Sequence, residues 1–160
     1  MSEGLKATGP SLECGSGLTT ILMGIIARAR GYTHWALEHN PGWGARVRQH
    51  LEKHSPDSVV LSVGDLHDYG PFSWYRPPLE SLPSRFDLVI CDGPPAKTKG
   101  GRYGLFPLLR DRFARRCVIL LDDAGREDEQ RIARTWSAET GASLEFIGRS
   151  KPFVRLVTPG

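Results

Sequence analysis

The sequence predicts an α/β fold: a doubly wound, mostly parallel sheet with helices on both faces, closed by an antiparallel hairpin. Short apolar runs alternate along the chain with segments whose apolar residues recur every three or four positions, as strands alternate with helices. The last two strand-like runs are separated only by residues 148–152, whereas a parallel crossover needs about a dozen residues. We therefore expect the final strand to run antiparallel to its neighbour. With 160 residues, the chain has the length of a single domain, residues 1–160.

The first elements form two strand-to-helix units. A short strand leads into a glycine-containing turn, and the helix after it ends at Gly31. The apolar face of that helix consists of Leu18, Ile21, Leu22, Ile25, Ile26 and Ala29. Residues 32–37 have strand composition, and Asn40 and Pro41 suit the N-cap and first position of the next helix. The expected buried face of this second helix consists of Trp43, Val47, His50, Leu51 and His54.

Three later runs are short and apolar enough to be parallel strands buried on both faces. They are Val59–Val63, Phe86–Cys91 and residues 117–121. Helical faces are expected at Leu105, Leu108, Leu109 and Phe113, and again at Ile132, Ala133 and Trp136. Residues 144–147 and Phe153–Val157 form the closing hairpin. Three cysteines lie in or beside the apolar strands and are expected to be buried free thiols: Cys14, Cys91 and Cys117.

Two irregular segments follow strands, at the sheet edge where open α/β folds bind ligands. Residues 66–85 are rich in proline and aromatic side chains, among them Tyr69, Trp74 and Tyr75, which either stack on a ligand or anchor the segment to the core. Residues 93–104 are rich in glycine and basic side chains, namely Lys97, Lys99 and Arg102. The basic residues either form a lid that pairs with an anionic acceptor or are simply solvated.

A glycine loop and two acidic residues indicate a nucleoside site. The loop is Glu13-Cys14-Gly15-Ser16-Gly17, between the first strand and the first helix, where backbone can approach a ligand closely. Thr20 does not fit a nicotinamide fingerprint, and no lysine completes a phosphate loop. Glu38 follows the second strand about 20 residues later, where a carboxylate accepts hydrogen bonds from ribose hydroxyls. Asp65 follows the third strand and is a candidate to contact the amino group of an adenine ring. Alternatively, these residues are an ordinary turn and solvated strand ends.

Three more carboxylates follow the fourth and fifth strands, at neighbouring strand ends. They are Asp92 and the pair Asp122-Asp123. Three like charges in one place raise one another's pKa unless a cation lies between them. Hard oxygen ligands suit Mg²⁺, Ca²⁺ or Mn²⁺. In the alternative interpretation, Asp122 and Asp123 cap the helix that begins near Arg126.

These motifs resemble those of class I S-adenosylmethionine-dependent methyltransferases over nearly the whole chain. The resemblance assigns cofactor binding to Glu13, Gly15, Ser16, Gly17, Glu38, Asp65 and Asp92. Asp92 together with Asp122-Asp123 resembles the metal-dependent O-methyltransferases of the catechol type and their sugar- and antibiotic-directed relatives. It implies a seven-stranded Rossmann-like sheet with the last strand antiparallel, S-adenosylmethionine across the glycine loop, and a divalent ion such as Mg²⁺ on Asp92, Asp122 and Asp123.

The chain departs from that family at two places. Family members generally carry N-terminal helices that cover the cofactor, whereas only about ten residues precede Ser11 here, so little or no N-terminal cap is expected. A homo-oligomer that covers the open cofactor site is one consequence. The catechol enzymes place a lysine base three residues after the metal-binding aspartate, where this chain has Pro95. Lys97 is the nearest lysine.

The expected reaction is metal-assisted O-methylation of a small hydroxylated acceptor. Methyl transfer is an in-line displacement, so the protein mainly aligns the acceptor and excludes water. Asp92 and Lys97 are the expected catalytic residues, and Lys97 or His67 takes the hydroxyl proton. The alternatives are a cofactor-binding but inactive scaffold, or an RNA methyltransferase.

Composition bears on partners and location. The net charge is +3 and the sequence has no run of five like charges, which does not favour a nucleic-acid partner. No apolar stretch approaches the ~20 residues that cross a bilayer, so no membrane partner is expected. With no basic-then-apolar leader at the N-terminus, a cytoplasmic location is expected.

Overall fold

The computed structural model describes residues 2–54 and 57–160, which form a seven-stranded sheet with helices packed against it. The helices are α1 (Ser2–Lys6), α2 (Leu18–Arg30), α3 (Pro41–His54), α4 (Leu105–Leu109) and α5 (Glu127–Thr140). The strands are β1 (Ser11–Cys14), β2 (His34–Glu38), β3 (Val59–Val63), β4 (His67–Asp68), β5 (Ser73–Trp74), β6 (Phe86–Cys91), β7 (Phe113–Leu121), β8 (Ser143–Ile147) and β9 (Phe153–Val157).

The strand order of the sheet is β3-β2-β1-β6-β7-β9-β8. The first five of these strands are parallel, and β9 runs antiparallel to both β7 and β8. This is a doubly wound, Rossmann-like α/β fold, so the predicted fold class, with its antiparallel closing strand, is confirmed.

The register of the central strands brings several strand ends to one edge of the sheet. Cys14 of β1 lies opposite Leu37 of β2 and Cys91 of β6, and Cys91 lies opposite Leu121 of β7. All four residues of β1 are buried because it is an interior strand, between β2 and β6, and is covered on both faces. The residues that directly follow these strands therefore meet in one place, at the carboxyl edge where open α/β folds bind ligands.

The two faces of the sheet have separate cores. The larger core contains most of the fully buried aromatic rings, among them Trp74, Phe86, Phe106 and Trp136. The smaller core lies under α1 and α2 and includes Ala7, Met23, Ile26 and Leu88. The short α1 packs closely on α2, because a Cβ at Gly4 would lie 2.7 Å from the sulfur of Met23. The five-residue helix α1 thus lies before β1 and packs on α2.

The end of α2 and the start of α3 agree with the sequence, but the predicted faces of these two helices do not: on α2, Leu18, Ile25 and Ala29 are exposed. Gly31 ends α2 in the left-handed conformation, with φ 74°. The Asn40 side chain caps α3 by accepting from the main-chain nitrogen of Trp43 at 2.9 Å. The assignment of Trp43, His50 and His54 to the buried face of α3 is wrong, because all three are exposed. The helix packs at the β2 and β3 end of the sheet and buries only Gly44, Val47 and Leu51.

The predicted helix over residues 105–113 is also wrong at its end. Helix α4 stops at Leu109, a short 3₁₀ turn follows, and Phe113 begins β7 four residues before the expected strand. Phe113 pairs with Phe86 of β6, and its ring lies 5.2 Å from that of Phe106. Sheet pairing therefore overrides the local helical periodicity.

Three smaller findings complete the fold. The proline-rich segment contains an antiparallel pair, β4 with β5, which the sequence did not predict, and Trp74 within it is fully buried. Cys14, Cys91 and Cys117 are buried free thiols, as predicted. Among residues 2–54 and 57–160, no helix is long and apolar enough to cross a membrane.

Candidate functional site

The glycine loop lies tightly between the ends of β2 and β6. Gly15 has a positive φ of 97°, which favours glycine, and its nitrogen donates to the carbonyl of Leu37 at 2.9 Å. The carbonyl of Cys14 accepts from the nitrogens of Asp92 and Gly93, at 3.0 and 2.7 Å. A Cβ at Gly15 would lie 3.4 Å from the Gly93 nitrogen, an ordinary contact distance, so the backbone conformation and not a lack of space favours glycine here.

A buried polar network holds the loop from behind. The Thr20 hydroxyl donates to Glu13 Oε2 at 2.5 Å and accepts from the Gly17 nitrogen at 2.8 Å. His34 Nε2 lies 3.4 Å from the same Glu13 oxygen, and His34 Nδ1 lies 2.8 Å from the Ser11 hydroxyl. Glu13 is 3% exposed and does not line the crevice described below, so its carboxylate orders the loop from inside the core.

Glu38 is held at the opposite side of the loop. Its carboxylate accepts from the Ser16 hydroxyl at 2.7 Å and from the main-chain nitrogens of His39 and Asn40 at 2.8 and 2.7 Å. These three donors fix the orientation of a side chain that is only 4% exposed. A carboxylate has about four acceptor positions, so capacity for a further donor remains. The sequence-predicted ribose acid is therefore buried, oriented and adjacent to the glycine loop.

The glycine loop, Glu38 and the residues that follow β6 line a crevice of about 330 Å³. Its lining consists of Gly15, Ser16, Glu38, His39, Asn40, Trp43, Tyr75, Asp92, Gly93 and Pro95. The volume is in the range of small-molecule sites. Asp65 and Lys97 are exposed and do not line it, although Lys97 comes two residues after Pro95. Another cavity, of about 260 Å³, lies at the other end of β6, beside Lys6 and Asp87.

Two aromatic side chains form walls of the crevice. Trp43 is 45% exposed, and its indole nitrogen donates to the Ser16 carbonyl at 2.7 Å. Tyr75 is 2% exposed, and its hydroxyl, packed against Gly93, has no hydrogen-bond partner among the residues that the structure describes. Burial raises the pKa of Tyr75 well above its usual value, so the hydroxyl remains protonated and available as a donor. A buried donor without a partner at a crevice wall points to a ligand atom that it binds.

The strand-end carboxylates surround a buried guanidinium. Arg102, 2% exposed, donates through Nη2 to Asp123 Oδ2 at 2.8 Å, to the Asp92 carbonyl at 2.7 Å and to Asp92 Oδ1 at 3.2 Å. Its Nη1 donates to the Asp122 carbonyl at 2.6 Å. Arg126 also approaches Asp123, at 2.8 Å. Burial raises the pKa of Asp92 above its usual value, while the Arg102 charge works in the opposite direction.

The predicted divalent ion on Asp92, Asp122 and Asp123 is not confirmed. Within the described ranges 2–54 and 57–160, no three or more His, Cys, Asp or Glu side chains are grouped so that they could hold a metal ion. A guanidinium lies between Asp92 and Asp123 instead, so the residues present do not fit a metal there. Arg126, not either aspartate, is the N-cap residue of α5, although the Asp123 carbonyl accepts from the Arg126 nitrogen.

The basic loop divides into inward and outward residues. The interpretation of Arg102 as part of a solvent-facing lid is wrong, because its side chain is directed into the protein. Lys97 and Lys99 are exposed, and Lys99 lies 3.4 Å from Asp68. His67, the other candidate for the hydroxyl proton, is exposed on β4, with its ring 4.7 Å from that of Tyr69.

The chain forms an α/β domain with a crevice at the carboxyl ends of neighbouring parallel strands. A family model described as a methyltransferase domain matches residues 12–124, which is more than half of the chain. The chain belongs to this methyltransferase family. No curated protein sequence matches it significantly.

Solved methyltransferase structures share the fold. The O-methyltransferase TomG from Streptomyces achromogenes, involved in tomaymycin synthesis and solved with SAM, superimposes with a TM-score of 0.71 at 15% identity, over 98% of this chain and 75% of that one. A precorrin-6y C5,15-methyltransferase from Geobacter metallireducens gives 0.70 at 18%, over 99% and 84%. An O-methyltransferase from Bacillus cereus, in complex with SAH, gives 0.67 at 18%, over 98% and 80%. At these identities the likeness shows the fold alone.

The sequence did not reveal that Trp43 lines the crevice or that Arg102 is buried, and it left the role of Tyr75 open. The sequence analysis places Trp43 in the helix packing. Its main-chain nitrogen donates to the capping side chain of Asn40, so Trp43 lies near Glu38 at the end of β2. Tyr75 was considered both as a stacking ring and as an anchor, and the structure shows it buried with its hydroxyl unsatisfied. In the sequence, the signals at Arg102 are only its positive charge and the two glycines that precede it.

Proposed function

We propose that this protein is an S-adenosylmethionine-dependent methyltransferase that acts on a hydroxyl group of a small acceptor. The observation that carries the proposal is the crevice itself, which is lined by the glycine loop, an oriented Glu38 and Tyr75, whose buried hydroxyl has no partner within residues 2–54 and 57–160. Membership of the methyltransferase family and the solved neighbours in complex with SAM or SAH support the cofactor assignment. The O-methyltransferases among those neighbours support a hydroxyl acceptor.

The crevice residues fit the parts of the cofactor. Glu38 has acceptor capacity for the ribose hydroxyls, and the glycine loop exposes backbone that no Cβ shields: a Cβ at Gly17 would meet only the Trp43 ring, at 4.0 Å. Tyr75 supplies a neutral donor for an oxygen or nitrogen of the ligand. The bound cofactor supplies a methyl group on a sulfonium. The protein's task is then to orient the acceptor and keep water away.

Asp92 is the group placed to take the acceptor's proton. It lies directly after β6, lines the crevice, and has a side chain that is 59% exposed despite its contact with Arg102. Burial raises its pKa, which makes it a stronger base than an ordinary aspartate. Lys97, two residues beyond Pro95, is the second candidate base. No step in this mechanism uses a metal ion, because a guanidinium already lies between Asp92 and Asp123.

The proposal is tested by methyl transfer from radiolabelled S-adenosylmethionine to panels of phenols, catechols, sugars and hydroxy acids. We expect label in at least one small hydroxylated acceptor, released by chemistry that cleaves methyl ethers. Tight S-adenosylhomocysteine binding without transfer to any acceptor would support the inactive scaffold instead. Transfer only to RNA, abolished by ribonuclease, would show that the acceptor class is wrong.

A further inference from the structure

Arg102 has the surroundings of a bound cation. Its guanidinium is held by two carboxylates, Asp92 and Asp123, and by the main-chain carbonyls of Asp92 and Asp122, at distances of 2.6 to 3.2 Å. Carboxylate and carbonyl oxygens are the ligands that Mg²⁺ and Ca²⁺ take in proteins. The four oxygens come from the ends of β6 and β7, so the sheet itself brings them together.

The positive charge at this position cannot be lost by titration. A guanidinium stays protonated at every physiological pH, and its planar fork is suited to several oxygens at once. Arg102 is 2% exposed, so neither solvent nor a dissolved ion shares the position. Arg126, about half exposed, contributes a second charge that contacts Asp123 and Glu129.

The preceding loop fixes the arginine in place. Gly100 and Gly101 both have positive φ, 74° and 55°, which turns the chain back over the strand ends. The Lys99 carbonyl accepts from the Ser73 nitrogen at 2.9 Å, and the Tyr103 carbonyl accepts from the Trp136 indole at 3.0 Å. The residues on both sides of Arg102 are therefore tied to the larger core.

We propose that Arg102 takes the place of a divalent cation: it is a positioning residue that holds Asp92 and Asp123 together, and this methyltransferase needs no metal ion. If the proposed hydroxyl methylation holds, an acceptor is not chelated here, so vicinal diols gain no advantage over single hydroxyls. The Asp92 carboxylate then orients the acceptor while it stays in contact with the fixed positive charge of Arg102.

The proposal is tested by Mn²⁺ binding, followed by electron paramagnetic resonance on the purified protein. The wild type is expected to show no saturable Mn²⁺ binding. Arg102→Ala removes the guanidinium, leaves the oxygens facing one another and is expected to gain the saturable Mn²⁺ binding that the wild type lacks. Adding Asp123→Asn to that variant is expected to abolish the gain. Arg126→Ala is the matched control: it removes a contact to Asp123 but keeps Arg102, so no gain is expected.

Two results would overturn the proposal. One is saturable Mn²⁺ binding by the wild type that Asp92→Asn abolishes, since the metal would then displace the arginine. The other is a folded Arg102→Ala, with wild-type circular dichroism, that binds no Mn²⁺. If that variant does not fold, Arg102→Gln keeps the side-chain stem and is expected to show the same gain. S-adenosylhomocysteine binding is measured in parallel, so failure of this inference and failure of the proposed function are distinguishable.

Discussion

The Tyr75 hydroxyl provides a perturbation with opposite effects on the free and the bound protein. Tyr75→Phe removes one oxygen from a side chain that is 2% exposed and whose hydroxyl lacks a hydrogen-bond partner in the described part of the chain. A buried polar group left unsatisfied costs about 1–3 kcal/mol. Its removal is therefore expected to raise the free energy of unfolding of the ligand-free protein by about 1 kcal/mol or more. For a chain of this length, that raises Tm by about 2–4 °C.

The same substitution is expected to weaken cofactor binding. If the hydroxyl donates to the ligand, its loss costs about 0.5–1.5 kcal/mol, which corresponds to a Kd for S-adenosylhomocysteine about 2–10-fold higher. Thermal unfolding without ligand and calorimetric titration with it measure the two effects. Tyr69→Phe is the matched control, because the Tyr69 hydroxyl donates to the Tyr75 carbonyl at 3.2 Å and lies outside the crevice. We expect that control to lower Tm and leave the Kd unchanged.

Either of two outcomes would refute this reasoning. A ligand-free Tyr75→Phe protein that is less stable than wild type would show that the hydroxyl has a partner before the ligand arrives. An unchanged Kd would show that the hydroxyl does not meet the ligand, and Tyr75 would then be an anchor of its loop.

Three further substitutions test the loop, the base and the packing. Thr20→Val leaves a glycine-loop nitrogen and a buried carboxylate without their shared hydroxyl, so we expect a loss of about 2 kcal/mol in chemical denaturation and a higher Kd for S-adenosylhomocysteine. Because burial raises the pKa of Asp92, the transfer rate is expected to rise with pH over a range above the usual pKa of an aspartate. Asp92→Asn should abolish this rise in rate. Gly104→Ala places a Cβ 2.5 Å from the Trp74 ring and should cost about 1–3 kcal/mol in the same denaturation assay; Gly64→Ala, with open space around it, should cost far less.

The parts of the site that follow from local sequence were predictable. A glycine-containing turn between strand and helix places Gly15 at the strand end, and the next strand end carries Glu38. The antiparallel closing strand followed from the short connection at residues 148–152. Each of these inferences depends on the length of a connection or on the order of the elements along the chain, and both can be read from a single sequence.

The parts that depend on tertiary packing were not predictable. The basic loop was interpreted as facing solvent, but the backbone turn at Gly100 and Gly101 and the ties to Ser73 and Trp136 direct Arg102 inward. None of those ties has a sequence signature. Phe113 was placed on a helix for the same reason, because its pairing with β6 joins residues far apart in the chain.

The equilibrium binding of S-adenosylhomocysteine to wild-type protein and to Glu38→Gln tests whether the crevice beside Glu38 is the cofactor site. Glu38→Gln keeps the shape of a side chain that is oriented by three donors but removes the charge that accepts from ribose. We expect saturable binding to wild type, a Kd about tenfold or more higher for Glu38→Gln, and wild-type affinity for Glu52→Gln, an exposed position on α3. Equal affinity for wild type and Glu38→Gln, or no binding to wild type at all, would contradict this expectation.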